Sequence, residues 1–202
     1  MTEPAHYGSE YTEYQSDRSR LRKLARTPWL RAAGRFVEGP AVDLGCGVGE
    51  LLARLPPGSM GLEINRATVE LCVANGLDVS YYDGADDGWS LAPVRGRSTS
   101  FDTLILSHVL EHLDGPDEVL HQLARAAGDL GMRQVLVIVP GRAGYDSDPT
   151  HRTFIDRAYL AAPAIVEGTG FRLASATHFP GNVPALGDHL RYHELRASFV
   201  RG

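Results

Sequence analysis

Three stretches of the chain hold reactive side chains at spacings that suit proton transfer, metal ligation or nucleoside binding. Asp148-Pro149-Thr150-His151-Arg152 sets a carboxylate, a hydroxyl, an imidazole and a guanidinium almost side by side. An imidazole with a pKa of about 6.5 is mostly neutral near neutral pH, so it can take the proton of a hydroxyl whose oxygen attacks an electrophile. His151 is the candidate general base, and Asp148 the candidate carboxylate that orients it. The competing reading is a loop staple, in which His151 bonds a backbone carbonyl and Arg152 pairs with an acid. His108-Val109-Leu110-Glu111-His112 has the H-x-x-E-H spacing of inverted zinc peptidases. It comes directly off a predicted parallel strand, and no following helix supplies a third ligand. Zinc hydrolysis is set aside on that ground and no metal ligand is assigned; whether a divalent metal assists is left open. His112 is read as structural, and His108 as facing a cofactor or substrate.

The third stretch, Val42 to Glu50, reads VDLGCGVGE, with glycines at 45, 47 and 49. Glycine there lets the backbone turn tightly and lie against a ligand that a side chain would exclude. The pattern departs from G-x-G-x-x-G because its third glycine comes one residue early. Glu63 ends the next predicted strand, about 20 residues after Asp43, where an acid can accept both hydroxyls of a ribose.

The elements that must position these residues alternate between strand-like and helix-like from about residue 40 onward, the pattern of a doubly wound α/β domain with a mostly parallel sheet. Predicted strands cover 41–44, 60–64, 77–82, 101–107, 134–139, 171–177 and 193–200. Predicted helices cover 50–55, 67–75, 116–127 and 154–167. The long connection HFPGNVPALGDH before the last strand leaves room for an antiparallel C-terminal hairpin. Residues 83–100 read as a loop anchored by Trp89. Residues 1–39 are expected to form a helical cap, and 40–202 the single domain it covers. The carboxyl edge of such a sheet is where ligands bind, and the polar loop 140–152 falls there.

Composition excludes several classes. The chain has 202 residues, 43% hydrophobic, with a net charge of -5, ordinary for one soluble domain. Cys46 and Cys72 are its only cysteines, too few for a disulfide scaffold, so a reduced cytoplasmic setting is expected. No apolar run approaches the roughly 20 residues that span a bilayer. Recognition of a nucleic-acid backbone usually needs a basic face. The basic run Arg18, Arg20, Arg22, Lys23 and Arg26 reads instead as the solvated side of an amphipathic helix. No nucleic-acid or membrane partner is expected, and self-association as a homodimer is left open.

The segments VDLGCGVGE, GLEIN, YYDGAD and FDTLILSHVLEHL, in that order over residues 40 to 140, resemble the class I S-adenosylmethionine-dependent methyltransferases. The middle of the chain is especially similar to a small methyltransferase-like family associated with methionine biosynthesis. The resemblance implies a Rossmann-like methyltransferase fold with seven strands, the last antiparallel. It implies that Asp43, Gly45, Cys46 and Gly47 cradle the methionine part of S-adenosylmethionine and that Glu63 holds the ribose. Ile64 would pack on the adenine, Asp83 with Gly84 would meet its amino group, and Ser107 and His108 would line the pocket. The implied activity is methyl transfer from S-adenosylmethionine, with S-adenosylhomocysteine as product. The resemblance stops after about residue 140, and the Asp, Arg, His and Thr of the polar loop beyond it suit a small polar acceptor, a hydroxyl such as that of a saccharide. Tyr145, Arg152, His189 and Tyr192 are then expected to bind the acceptor. Tyr7, Tyr11 and Tyr14 would close over the site as a lid, or simply pack the N-terminal helix. A phenol or an amine as acceptor, and a module that holds cofactor or a partner without turnover, are the other readings.

Overall fold

The computed structural model describes residues 34, 36, 37 and 39–202. The cap expected over residues 1–39, with Tyr7, Tyr11 and Tyr14, lies outside the described residues apart from its last positions. Seven strands make one sheet: β1 (Ala41–Leu44), β2 (Met60–Glu63), β3 (Val79–Tyr81), β4 (Thr103–Ser107), β5 (Gln134–Pro140), β6 (Phe171–Phe179) and β7 (Glu194–Arg201). Their order is β3-β2-β1-β4-β5-β7-β6. The first five run parallel, and β7 lies antiparallel between β5 and β6. This is the doubly wound sheet with an antiparallel last strand that the alternation of elements predicts.

The central strands read as unbroken apolar runs, TLILS and QVLVIVP, because both faces of a parallel sheet are covered. Successive side chains go to opposite faces. Leu104, Leu106, Val135, Val137 and Val139 join the cluster that holds Leu120, Leu123 and Ala127 of α2 (Pro116–Asp129), whereas Ile105, Leu136 and Ile138 join Val37 and Leu51.

Caps set the helix ends. α1 (Arg66–Ala74) starts at Asn65, whose side chain accepts the Thr68 N–H at 3.2 Å. It ends in a Schellman pair, Gly76 N–H to the Val73 carbonyl at 2.9 Å and Leu77 N–H to the Cys72 carbonyl at 3.0 Å. α2 has Pro116 at its first position and Asp117 and Glu118 in its first turn, where they oppose the positive end of the helix dipole. It closes with the same Schellman arrangement at Gly131 and Met132.

Two predicted helices differ. Residues 50–55 form only a 3-10 turn, Leu52–Arg54, because the stretch between Gly49 and Pro56 is too short for a second α-helical turn to close. Residues 154–167 split into the short α4 (Arg157–Leu160) and a 3-10 turn, Pro163–Ile165. Pro163 has no N–H to continue the helix and holds Ala162 extended, at ψ 126. The polar loop after β5 contains a short helix, α3 (Arg142–Tyr145). Leu123 is fully buried between α2 and the sheet. Leu123→Ala is expected to lower the unfolding free energy by about 2 to 5 kcal/mol in urea denaturation; a loss below about 1 kcal/mol would contradict this packing.

Candidate functional site

The strand order reverses between β1 and β4, and the carboxyl ends of the strands on either side of that point collect the residues with chemistry. Leaving β1, the chain is pinned to β2: the Gly45 and Cys46 N–H groups both donate to the Leu62 carbonyl, at 2.8 and 3.2 Å. Gly45 takes φ +70, and a Cβ there would stand 2.6 Å from Val109 Cγ2. The position therefore excludes a side chain and leaves an exposed stretch of bare backbone. Under the turn, the Gly47 N–H donates to Glu63 Oε2 and the Asn65 N–H to Glu63 Oε1, both at 2.9 Å. The Cys72 thiol donates to the Gly47 carbonyl from below at 3.3 Å. Cys46 and Cys72 are free, buried thiols.

Asp43 and Glu63 are both buried, at 2% and 8% exposure. Burial, then the neighbouring Glu63 carboxylate, pushes Asp43 up to about 8. Burial also raises Glu63, against the lowering effect of the N–H groups of Asn65, Gly47 and Ile64. Asp43 Oδ2 is buried and has no hydrogen-bond partner among the described residues.

After β3, Asp83 Oδ1 accepts the N–H groups of Ala85 and Asp86, at 3.0 and 3.3 Å. Gly84 lies under Trp89, and a Cβ there would meet its ring at 2.1 Å. Trp89 is thus the anchor expected of this loop, packed against the main core. Ile64 and Ser107 are half-buried at the ends of β2 and β4.

His108 leaves β4 in the left-handed region, at φ 57, a conformation that costs a residue with a Cβ about 1 to 2 kcal/mol. Its ring holds it there: Nδ1 lies 3.1 Å from Glu111 Oε1 and Nε2 3.1 Å from Glu194 Oε1. Burial works against charge on this ring, but Glu194 and Glu111 outweigh it and hold the imidazolium up to about 10. His108 and His112 do not share a helix face as the H-x-x-E-H spacing suggests. Only Leu110–His112 form a 3-10 turn, and the two rings part company, His112 toward the loop after β5.

That loop returns to the 3-10 turn. The N–H groups of Arg152 and Thr153 donate to the Glu111 carbonyl at 2.8 and 3.2 Å. His151 Nδ1 lies 2.7 Å from the Tyr145 carbonyl, and its ring stacks on Tyr145 and sits 4.7 Å from His112. The acceptor that orients His151 is therefore the Tyr145 carbonyl, while the expected partner, Asp148, takes its hydrogen bonds from the N–H and hydroxyl of Thr150. Arg152 is exposed and pairs with Asp114. Both features of the staple reading are present, and the Nε2 of His151 remains outside them.

A cavity of about 390 Å³ opens beside this loop, with Arg142, Asp156, His178 and Asp188 among its polar lining and Phe154 and Leu195 among the rest. Phe154 lies edge-on to Tyr145, which joins the cavity wall to His151. Neither His189 nor Tyr192 lines it; both are exposed. His193, read from sequence with the surface histidines of that region, is fully buried and stacked on His178, because it sits where the last loop folds back on the glycine at 187. Glu111, His112 and Glu194 are the residues of this region that sequence reasoning gave no chemical role. Glu111 and His112 had a signal in the H-x-x-E-H spacing; Glu194 had none.

Residues 31–141 match the family described as methionine biosynthesis protein MetW. The chain belongs to the MetW family. No curated protein matches the chain. Among solved structures, a SAM-dependent methyltransferase from Archaeoglobus fulgidus is similar at 18% identity and TM-score 0.63, over 95% of this chain and 99% of that one. A SAM-dependent methyltransferase from Thermotoga maritima, described as a possible histamine N-methyltransferase, is similar at 14% identity and TM-score 0.64, over 98% and 100%. The magnesium protoporphyrin IX methyltransferase of Synechocystis PCC 6803, solved with bound SAH, is similar at 18% identity and TM-score 0.55, over 90% and 83%. The fold of this MetW-family chain is thus the Rossmann-like methyltransferase fold. Among the described residues no helix is long and apolar enough to cross a membrane.

The raised Asp43 has a measurable consequence. Below about pH 4 the carboxyl is protonated in the folded and unfolded chain alike. Between pH 4 and its folded value of about 8, only the unfolded chain gives up the proton, so stability falls as pH rises through that window. Asp43→Asn removes the titration. Denaturation at pH 5 and 8.5 should show the variant gaining on wild type as pH rises, with the larger gap at pH 8.5; a gap that shrinks with rising pH would contradict the burial.

Proposed function

We propose that this chain transfers a methyl group from S-adenosylmethionine to a hydroxyl of a small polar acceptor, leaving S-adenosylhomocysteine. The observation that carries the reading is the buried, unpartnered Oδ2 of Asp43 beside the side-chain-free backbone of Gly45. A buried carboxyl without a partner is costly, and it becomes favourable when a cation meets it. An amino-acid ammonium and a sulfonium supply that charge. The rest of the cradle suits the same ligand. Each Glu63 oxygen accepts one backbone N–H, and an ionised carboxylate has about four lone-pair sites, so it retains capacity for ribose hydroxyls. When bound, the cofactor supplies an electrophilic methyl group on a positively charged sulfur.

The chain's own residues do the remainder. Asp43, protonated in the empty site, gives up its proton to face the cation at the end of β1, and Glu63 holds the turn closed while keeping lone pairs for the ribose. His151 gives its Nδ1–H to the Tyr145 carbonyl, which fixes the neutral tautomer and leaves Nε2 as the basic atom through which the acceptor hydroxyl is activated. In the transfer, the acceptor loses its hydroxyl proton, its oxygen forms the bond to the methyl carbon, and the carbon–sulfur bond breaks with its electron pair left on sulfur. Around the cavity Arg142 offers donors and Asp156 and Asp188 offer acceptors, which favours a polyol such as a saccharide over a flat phenol.

Calorimetry with S-adenosylhomocysteine should show one site per chain, with an affinity weakened at least about tenfold by Asp43→Asn. Wild-type protein given S-adenosylmethionine and a panel of saccharides, phenols and amines should release S-adenosylhomocysteine with a saccharide, and His151→Ala should slow that release by about 100-fold or more. Folded protein that gives no heat with S-adenosylhomocysteine would overturn the cofactor. Release with phenols or amines alone would overturn the acceptor class.

A further inference from the structure

The groups around His151 converge in a way that proton transfer by one imidazole does not require. We propose that Glu111, His112 and His151 together bind one divalent first-row metal ion. Resting on the methyl-transfer reading, we infer that this ion activates the acceptor hydroxyl. One donor atom from each of the three residues lies within 4.8 Å of the other two. Ligands about 2.1 Å from a shared ion stand about 3 to 3.5 Å apart, so a contraction on the order of 1 Å completes the set.

The hydrogen bonds around the three side chains leave the right atoms over. The Thr150 hydroxyl donates to Asp148 Oδ1 at 2.6 Å, so its oxygen is the acceptor for His112 Nδ1, 3.1 Å away. That places the proton of His112 on Nδ1 and the lone pair on Nε2. His151 repeats the arrangement with the Tyr145 carbonyl. Two neighbouring imidazoles, each with Nδ1–H tied to an oxygen and Nε2 left as a lone pair, are prepared as metal ligands, since the outer hydrogen bond of a ligating histidine fixes its tautomer. The carboxylate is prepared as well. Glu111 Oε1 is engaged by the His108 ring, while Oε2 is buried with no partner among the described residues. Glu111 thus has a carboxylate oxygen to spare at 0% residue exposure, on a side chain that brings one donor atom within 4.8 Å of a donor atom of each histidine.

Two segments build the set, the 3-10 turn Leu110–His112 and the loop after β5, and the Arg152 and Thr153 N–H bonds to the Glu111 carbonyl lock them together. No helix behind His112 carries a third ligand; it comes from this loop instead, in His151. Two imidazoles and one carboxylate suit Mn²⁺, Fe²⁺, Co²⁺ or Zn²⁺ and leave coordination positions open. His112 and His151 are half-exposed, so the open side is accessible. An acceptor hydroxyl on that side would have its pKa lowered by the ion, and its proton would pass to solvent water in place of His151, whose Nε2 lone pair the ion then occupies.

The test uses the full chain, freed of metal by a chelator and titrated with Co²⁺ by visible absorption and calorimetry, with S-adenosylhomocysteine affinity measured alongside. One Co²⁺ per chain is expected, with affinity at least tenfold weaker in Glu111→Gln and in His151→Ala, while affinity for S-adenosylhomocysteine stays within about twofold. The nucleoside affinity certifies that each variant is folded, and His112→Gln replaces whichever variant fails that check. Equal Co²⁺ binding by wild type and variants, or none by folded wild type, would overturn the metal site. Co²⁺ binding without binding of S-adenosylhomocysteine would overturn the methyl-transfer reading and leave the metal site standing.

Discussion

A pair of buried carboxyls at the ends of two adjacent parallel strands is the constraint from which the rest of this molecule follows. Asp43 and Glu63 are drawn close by the β1–β2 pairing, in which Asp43 stands opposite Gly61. Glu63 resolves its burial with the backbone N–H of Gly47, in the glycine turn, and that of Asn65, just after β2. Asp43 does not, and keeps its proton to a pH near 8. The glycine turn has its shape because it must bring the Gly47 N–H to Glu63 and stay clear of Val109. In the absence of a cation the arrangement is a local cost in stability, and natural folds keep such costs where they serve a ligand.

A second buried charge system organises the other side of the switch point. The His108 imidazolium joins Glu111, in the turn after β4, to Glu194, the first residue of β7. Glu194 is registered opposite Pro140 at the end of β5, so one ring ties the tips of three elements together and accepts a left-handed backbone to do so. By occupying Glu111 Oε1 it leaves Oε2 as the carboxylate oxygen without a partner among the described residues.

What the sequence discloses and what it hides divide along the distance between partners. The strands, the glycine turn and the acid after β2 are legible because each is a local pattern of apolar runs, turn residues and spacing. Helix α2 announces itself through Pro116, its acidic first turn and Gly131. The break at Pro163 was readable in principle, but the apolar periodicity on either side of it hides the interruption. Glu194 could not be assigned, since its partner His108 is 86 residues away and only the β5–β7 register brings them together. The same holds for His151 and Glu111, which the returning loop joins. His193 reads as one more histidine in a polar segment, and only the folding of the last loop buries it.

The claim on which this account stands is that the Asp43 carboxyl is a protonated, buried group waiting for a cation, and proton exchange on binding tests it most directly. The heat of S-adenosylmethionine binding is measured at pH 7 in buffers of differing ionisation enthalpy, for wild type and for Asp43→Asn. With Asp43 protonated up to a pH of about 8, a cationic ligand should expel close to one proton per site from wild type, and any residual binding by the variant should expel none. Wild-type binding whose heat is the same in every buffer would contradict the account.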